Sequence, residues 1–328
     1  MKRGIQRNRR GGFRSLTGEE RESMKNGMLR RLAALLLACG MVWTNAAALA
    51  EVRPLDLDMT VPGYPAREDG WISDTEYQDE SIHIQVFSKG RKPKSSSTST
   101  VCRWVTVSIA DPSQLRTTMS NENYDDPTYV PARYMARDVN AIVALNGDFF
   151  KYNYSLGYVL RQGVFYRDAL DGTWDVLMID DHGDFHDVLA ATSESMAAAI
   201  SDLEAQGRKA VNTFTFGPVL IKDGVIRDPM PEQHYSTLAA QRIALIQLGE
   251  LEYAVIEIDA DGGNGTGMNL EELARFILEI FPDCKMAYNL DGGGSTHLIV
   301  NGRAIHKTPS SRAVSDIIYF ASAQVPEE

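Results

Sequence analysis

From residue 81 onward the chain is built of short apolar runs, two of them with period-2 alternation, and only two stretches carry clear helical spacing. Ile82, Ile84 and Val86 share one face of an expected strand over 81–87, and 101–109 alternates in the same way. Between them, the Lys- and Ser-rich segment 89–100 predicts a long flexible hairpin loop. Further strands are expected at 141–145, 286–290, 298–300 and 316–321, with strand pairs at 176–179/185–189, 214–221/225–226 and 242–248/252–258. One helix is expected over 193–206, where Met196, Ile200 and Leu203 recur and Gly207 ends the run. The other, over 270–281, has Asn269 as N-cap, Glu272 three residues on, and Pro282 as its stop. Its buried stripe is Leu270, Leu273, Ala274, Ile277 and Ile280. Many strands, few helices and no regular β-α-β alternation predict an α+β domain, a mixed and largely antiparallel curved sheet with flanking helices.

The amino-terminal fifty residues differ from the rest. They carry ten Lys or Arg against three Glu, a net +7, so residues 51–328 hold −18 of the whole-chain −11. So acidic a body disfavours nucleic acid as a partner, because that binding rests on clustered positive charge. Lys25, Arg30 and Arg31 precede the apolar run 32–43, and Ala48 and Ala50 take the small positions of an A-x-A site before Glu51. That pattern predicts export, through a cleaved secretory signal or an anchor at 32–50 that ties the protein to a membrane. Leu36-Leu37-Ala38-Cys39 loosely resembles a lipoprotein box, but the apolar run continues past Cys39. The expected organisation is a leader at 1–50, an irregular lead-in at 51–80, one catalytic domain at 81–323 and a tail at 324–328. Cys102 and Cys284 are the cysteines beyond the leader; an exported protein allows them one disulfide, and no C-x-x-C is present.

The stretch 288–297 concentrates the chemistry. A short apolar run delivers Asp291 to its end, Gly292, Gly293 and Gly294 follow, and Ser295, Thr296 and His297 open the next apolar run. Three glycines in a row suit a backbone that needs positive φ or close approach to a ligand; a plain glycine turn between two strands is the alternative. Other expected strand ends repeat the pairing of polar residues with glycine, at Asn146-Gly147-Asp148, at Phe216-Gly217-Pro218 and at 259–265. The last leads into the helix capped by Asn269 and offers an anion its N-terminal N–H groups. An EF-hand starting at Asp259 fails at Asn264 and Leu270, and 265–268 lacks the P-loop lysine. Ser295 with His297 lacks the last glycine of a nucleophile elbow. Asp180, Asp181, His182, Asp184, His186 and Asp187 read as metal ligands or, better, as ordinary turn residues.

An ordered series of segments resembles the phosphodiester glycosidase family. They are Ala144-Leu145-Asn146-Gly147-Asp148-Phe149-Phe150, Phe216-Gly217-Pro218-Val219-Leu220-Ile221-Lys222-Asp223-Gly224, Arg242-Ile243-Ala244, Asp261-Gly262-Gly263 with the helix after it, and Asn289-Leu290-Asp291-Gly292-Gly293-Gly294-Ser295-Thr296, closed by Arg312-Ala313-Val314-Ser315-Asp316. The chain departs from the family pattern at Gly263, where an arginine is frequent, and at Gln241, where a proline is usual.

The resemblance implies hydrolysis of a sugar, N-acetylglucosamine-like, joined through its anomeric carbon to a phosphodiester in an envelope or extracellular glycan. An oxocarbenium-like transition state needs a carboxylate near the anomeric carbon and a second group to assist water, and Asp291 and Asp261 are the expected pair. Arg242, Arg312 and the N–H groups of Gly292, Gly293 and Gly294 are candidates for holding the phosphate. Asn146 and Asp148, with Ser295 and Thr296, are expected to bind the substrate or orient the carboxylates. No cofactor is required; 259–264 leaves room for a structural divalent cation. Two rivals stay open. One is a phosphodiesterase cutting P–O, which usually needs metals. The other is a non-catalytic protein of glycan-phosphate binding or exopolysaccharide assembly.

Overall fold

The computed structural model describes residues 51–120, 124–125, 128–150, 156–232, 236–260, 266–305 and 312–326. Ala50–Glu328 forms one compact unit, while the expected leader lies outside the described residues. Strands β1 (Trp71–Ser73), β2 (Glu76–Gln78), β3 (Ile82–Arg91) and β4 (Thr100–Ile109) form a meander. β5 (Leu115–Met119), helix α1 (Ala132–Asp138) and β6 (Ala141–Asn146) follow. Then come the hairpins β7 (Gly157–Arg161)–β8 (Val164–Ala169) and β9 (Val176–Asp180)–β10 (Phe185–Val188), and helix α2 (Ser193–Ala205). β11 (Ala210–Thr215), β12 (Val219–Lys222), β13 (Val225–Ile226), β14 (Arg242–Gly249) and β15 (Glu252–Ile258) lead to helix α3 (Leu270–Ile280). The chain closes with β16 (Met286–Asn289), β17 (Leu298–Val300), β18 (Arg303–Ala304) and β19 (Asp316–Ala321).

A nine-stranded sheet has the order β1-β2-β3-β4-β15-β14-β16-β12-β13, and a five-stranded one β18-β17-β6-β19-β5. β10-β9-β11 and β7-β8 make two smaller sheets. The α+β class holds, and the sheets are antiparallel at every strand pair among the described residues rather than mixed.

Strand alternation builds the layers. Ile243 and Leu245 of β14, Tyr288 of β16, Val143 and Leu145 of β6, Ile318 and Phe320 of β19 and Leu177 of β9 share one core between the sheets. Their sequence neighbours point the other way. Ala244, Ile246 and Ala287 meet Leu270, Leu273, Phe276 and Ile277 of α3. Ala144, Ile317 and Tyr319 meet Ala132, Met135 and Ala136 of α1, and Val176 and Met178 meet Met196 and Leu203 of α2. The result is helix on sheet on sheet on helix, with each inner strand buried on both faces.

Several expectations change. The 214–221 run is not one strand: it breaks at Gly217-Pro218, leaving β11 beside β9 and β12 beside β16. The hairpin at 89–100 is real but its loop is shorter, because Lys89, Gly90 and Arg91 pair with Cys102, Val101 and Thr100. Glu272 closes no capping box; its carboxylate accepts from Lys94 N at 2.6 Å and Ser95 N at 3.0 Å, pinning that loop to α3. The lead-in adds β1 and β2 to the large sheet, and Val52 and Tyr64 bridge to Gln324 and Ser322. Cys102 and Cys284 are free, buried thiols on the α3 side of that sheet. No helix among the described residues is long and apolar enough to cross a membrane.

Candidate active site

The glycine-rich loop does not join paired strands. β16 belongs to the nine-stranded sheet and β17 to the five-stranded one, so residues 290–297 cross from one sheet to the other. Leu290 stays in the inter-sheet core, which sets Asp291 at the sheet ends. Gly292 passes under the backbone just before β14: a Cβ there would stand 2.7 Å from Gln241 O. Gly293 has φ +58° and donates to Gln241 O at 3.0 Å. Glycine is needed at 292 for space and favoured at 293 for conformation.

β6 ends beside this loop. Asn146 Nδ2 donates to Asp291 O at 2.7 Å, and Asn146 Oδ1 accepts from His297 N at 2.9 Å. Asn146 therefore holds both flanks of the crossing. Asp291 is half-buried, and burial raises its carboxyl to about 6. A hydrogen bond from Ser295 and the charge of Arg312 oppose that rise, while the charge of Asp148 adds to it. Arg312, exposed, also donates to Ser295 Oγ at 3.2 Å. Its guanidinium lies on Gly294, with Nη2 3.1 Å from where a Cβ would be.

Behind Asp291 lies a buried charge cluster. Arg161 Nη2 reaches Asp316 Oδ2 at 2.9 Å and Asp148 Oδ1 at 3.1 Å, with all three side chains essentially sealed from solvent. Asp148 also accepts from Phe150 N and Thr215 N, each at 2.9 Å. It anchors three strand ends rather than facing an open cleft. Burial pushes the Asp316 carboxyl up, against the pull of Arg161 and with the help of the Asp148 and Asp291 charges. Neither Arg161 nor Asp316 stands out in the sequence as a site residue. Arg161 ends the apolar strand β7 and Asp316 opens β19, so only their shared burial reveals them.

Arg242 is buried, and burial lowers its guanidinium to about 10, which leaves it charged at neutral pH. It donates to Leu238 O at 2.9 Å and Met268 O at 3.2 Å. Thr296 is buried behind the loop. Four buried side-chain atoms around the crossing have no protein partner among the described residues: Gln241 Nε2, Asn289 Oδ1, Thr296 Oγ1 and Asp316 Oδ1. Buried polar atoms are normally paired, so these four set the crossing apart from a plain glycine turn and make it the candidate site. Asp261 and the rest of 261–265 lie outside the described residues.

The competing motifs resolve structurally. Ser295 Oγ serves Asp291 and Arg312, while His297 Nε2 meets Arg312 O at 2.8 Å, so they form no nucleophile–base pair. Asp180 Oδ1 accepts from His182 N and Asp184 N, and its Oδ2 meets His186 and Arg208, as a turn residue would. No group of three or more His, Cys, Asp or Glu among the described residues is arranged to hold a metal. Asp259 accepts from Arg103 Nη1 at 3.1 Å and from Ala260 N at 2.9 Å. A cavity of about 710 Å³ beside the N-terminus of α3 is lined by Arg91, Lys92, Lys94 and Arg275, with Glu271 and Glu272 among them. The N-terminal amide of Glu272 is taken by Asn269 Oδ1 at 2.8 Å, so that helix end is capped from within.

With this geometry in view, the comparisons with known proteins are specific. The solved catalytic domain of zebrafish N-acetylglucosamine-1-phosphodiester alpha-N-acetylglucosaminidase, auto-inhibited by its pro-peptide, has a similar fold. The TM-score is 0.57 at 17% identity, covering 79% of this chain and 86% of that one. A hypothetical protein from Synechocystis aligns at TM-score 0.49 and 15% identity, over 76% of this chain and 64% of that one. No curated protein matches the sequence. The family model described as phosphodiester glycosidase matches residues 139–321, from the strand that carries Asn146 through the strand that opens with Asp316. The chain belongs to the phosphodiester glycosidase family.

Proposed function

We propose that this protein is an exported hydrolase that removes N-acetylglucosamine, or a close relative, from a sugar-1-phosphodiester of an envelope or extracellular glycan. Water attacks the anomeric carbon, the bond from that carbon to the phosphate oxygen breaks, and a phosphomonoester stays on the other partner. The observation that carries this reading is the setting of Asp291. Its carboxyl stands at the sheet crossing with a raised proton affinity, between the exposed Arg312 and the buried Asp148–Arg161–Asp316 cluster.

In this reading Asp291 stabilises positive charge at the anomeric carbon or activates water, with Asp261 as its partner carboxylate. Arg312 holds the departing phosphate, whose low basicity makes charge stabilisation matter more than protonation; the expected glycine N–H cradle does not serve, because Gly293 N–H is given to Gln241 O and Gly292 N–H to the Asp291 carboxyl. Asp148 and Asp316, already committed to Arg161, shape the field around Asp291.

The test is hydrolysis of an N-acetylglucosamine-1-phospho-6-mannoside by the full chain, with products separated by mass, Asp291→Asn alongside and EDTA in a parallel reaction. Free N-acetylglucosamine with mannose 6-phosphate, lost in the variant, is the expected result. N-acetylglucosamine 1-phosphate as product would establish P–O cleavage instead. Binding without any product would leave a recognition protein.

A further inference from the structure

We propose that Phe149, Trp174 and Phe216 form the wall against which the pyranose ring of the substrate lies, so that the ring is bound from this side and the phosphate from the Arg312 side. The inference rests on the glycosidase reading and adds the polarity of the bound substrate. Phe149 packs edge-on against Trp174 (ring centroids 5.8 Å apart, 66°) and against Phe216 (5.0 Å, 79°). Phe216 is buried behind, whereas Phe149 and Trp174 keep part of their surface open.

The wall is tied to the reacting carboxylate by short covalent and hydrogen-bonded links. Asn146 holds Asp291 O at 2.7 Å, and the chain then runs through Gly147 and Asp148 directly into Phe149. Phe216 follows Thr215, whose N–H donates to Asp148 at 2.9 Å. Trp174 is fixed through its carbonyl, which accepts from Ala191 N at 2.7 Å. Its neighbour Asp175 is fixed by the N–H groups of Ala190 and Val219, each at 3.0 Å. Aromatic rings held in place this way present an apolar face with little ordering cost on binding.

A pyranose offers one apolar C–H face and a hydroxyl rim, and its phosphodiester offers only charge. The two ends of this site match those two chemistries in that order.

The test is calorimetric titration of the full-chain protein with N-acetylglucosamine 1-phosphate and, separately, with inorganic phosphate. Trp174→Ala is expected to weaken sugar-phosphate binding by roughly ten-fold, Trp174→Phe to recover most of it, and phosphate binding to stay as in the parent. The emission change that the sugar phosphate produces in the parent should vanish in Trp174→Phe. Phe149→Ala, checked to melt with the parent, serves if the tryptophan variant does not fold. Unchanged sugar-phosphate affinity in the alanine variants, equal weakening for phosphate alone, or no binding by the parent would overturn the proposal. Turnover plays no part in these readings, so a protein that binds as described but hydrolyses nothing would sink the hydrolase reading alone.

Discussion

Gly147 lies directly against the carboxyl group of Asp316. A Cβ at position 147 would stand 2.4 Å from Asp316 Oδ2 and 2.5 Å from its Cγ and Oδ1. The glycine after Asn146 thus lets β6 end while a buried acid from β19 passes beside it.

Replacing Gly147 with alanine must therefore displace that carboxyl or the backbone. The expected cost is about 1–3 kcal/mol, the usual penalty for overpacking a close-packed interior. Urea unfolding measures it, and activity should fall further than stability because Asn146 and Asp148 flank the change. An alanine variant as stable and active as the parent would contradict this contact.

Arg161 is the cation between two buried carboxylates and stacks on Phe214, with its guanidinium carbon 4.4 Å from the ring centroid. Arg161→Met removes the charge and leaves Asp148 and Asp316 facing each other without it. A loss of about 3–5 kcal/mol is expected, as for other broken buried pairs. Adding Asp316→Asn should return part of that loss, because one of the two stranded charges is gone. The double-mutant cycle in urea reads both numbers.

The Asp291 carboxyl keeps its proton to about pH 6 because burial disfavours its charged form. If it works ionised, kcat/KM climbs as pH rises through about 6 and levels off above. Stability runs the other way. The folded pKa exceeds that of the unfolded chain, so the native state binds this proton more tightly. The stabilisation is complete below about pH 4 and is lost as pH rises through about 6, on the order of 2–3 kcal/mol. Asp291→Asn should raise unfolding free energy at pH 8 and leave it nearly unchanged at pH 4, as urea titrations at the two pH values would show.

Val325 N donates to Glu51 O at 2.8 Å, and Val52 bridges to Gln324, so the residues that follow the expected cleavage site are held by the C-terminal end of the domain. If export includes cleavage at the A-x-A site, intact mass of the protein from its native host should give Glu51 as the first residue. A membrane-bound product that retains 32–50 would show the anchor instead.

How much of this was legible depends on distance along the chain. Period-2 alternation placed β3 and β4, and short apolar runs placed β6, β14, β15 and β19, because those inner strands are buried on both faces. Neither could assign strands to sheets, so 286–300 looked like a turn between partners although β16 and β17 lie in different sheets. The apolar run 214–221 hid a break that Gly217-Pro218 signalled. α1 was missed because its signal is only Ala132, Met135 and Ala136 over two turns. In the site, Asp291, the glycines and Ser295 were visible as a local cluster. Arg161 and Asp316 were not, because each is one polar residue at the end of an apolar strand, paired only through the fold.

The most direct test of the central claim follows the oxygen atom. Hydrolysis of the N-acetylglucosamine-1-phospho-6-mannoside in ¹⁸O-enriched water, read in the mannose 6-phosphate by mass, distinguishes the two bonds that water can break. Attack at the anomeric carbon beside Asp291 predicts a phosphomonoester with no label. A mannose 6-phosphate carrying one ¹⁸O would mean that water attacked phosphorus, and the glycosidase account would fail.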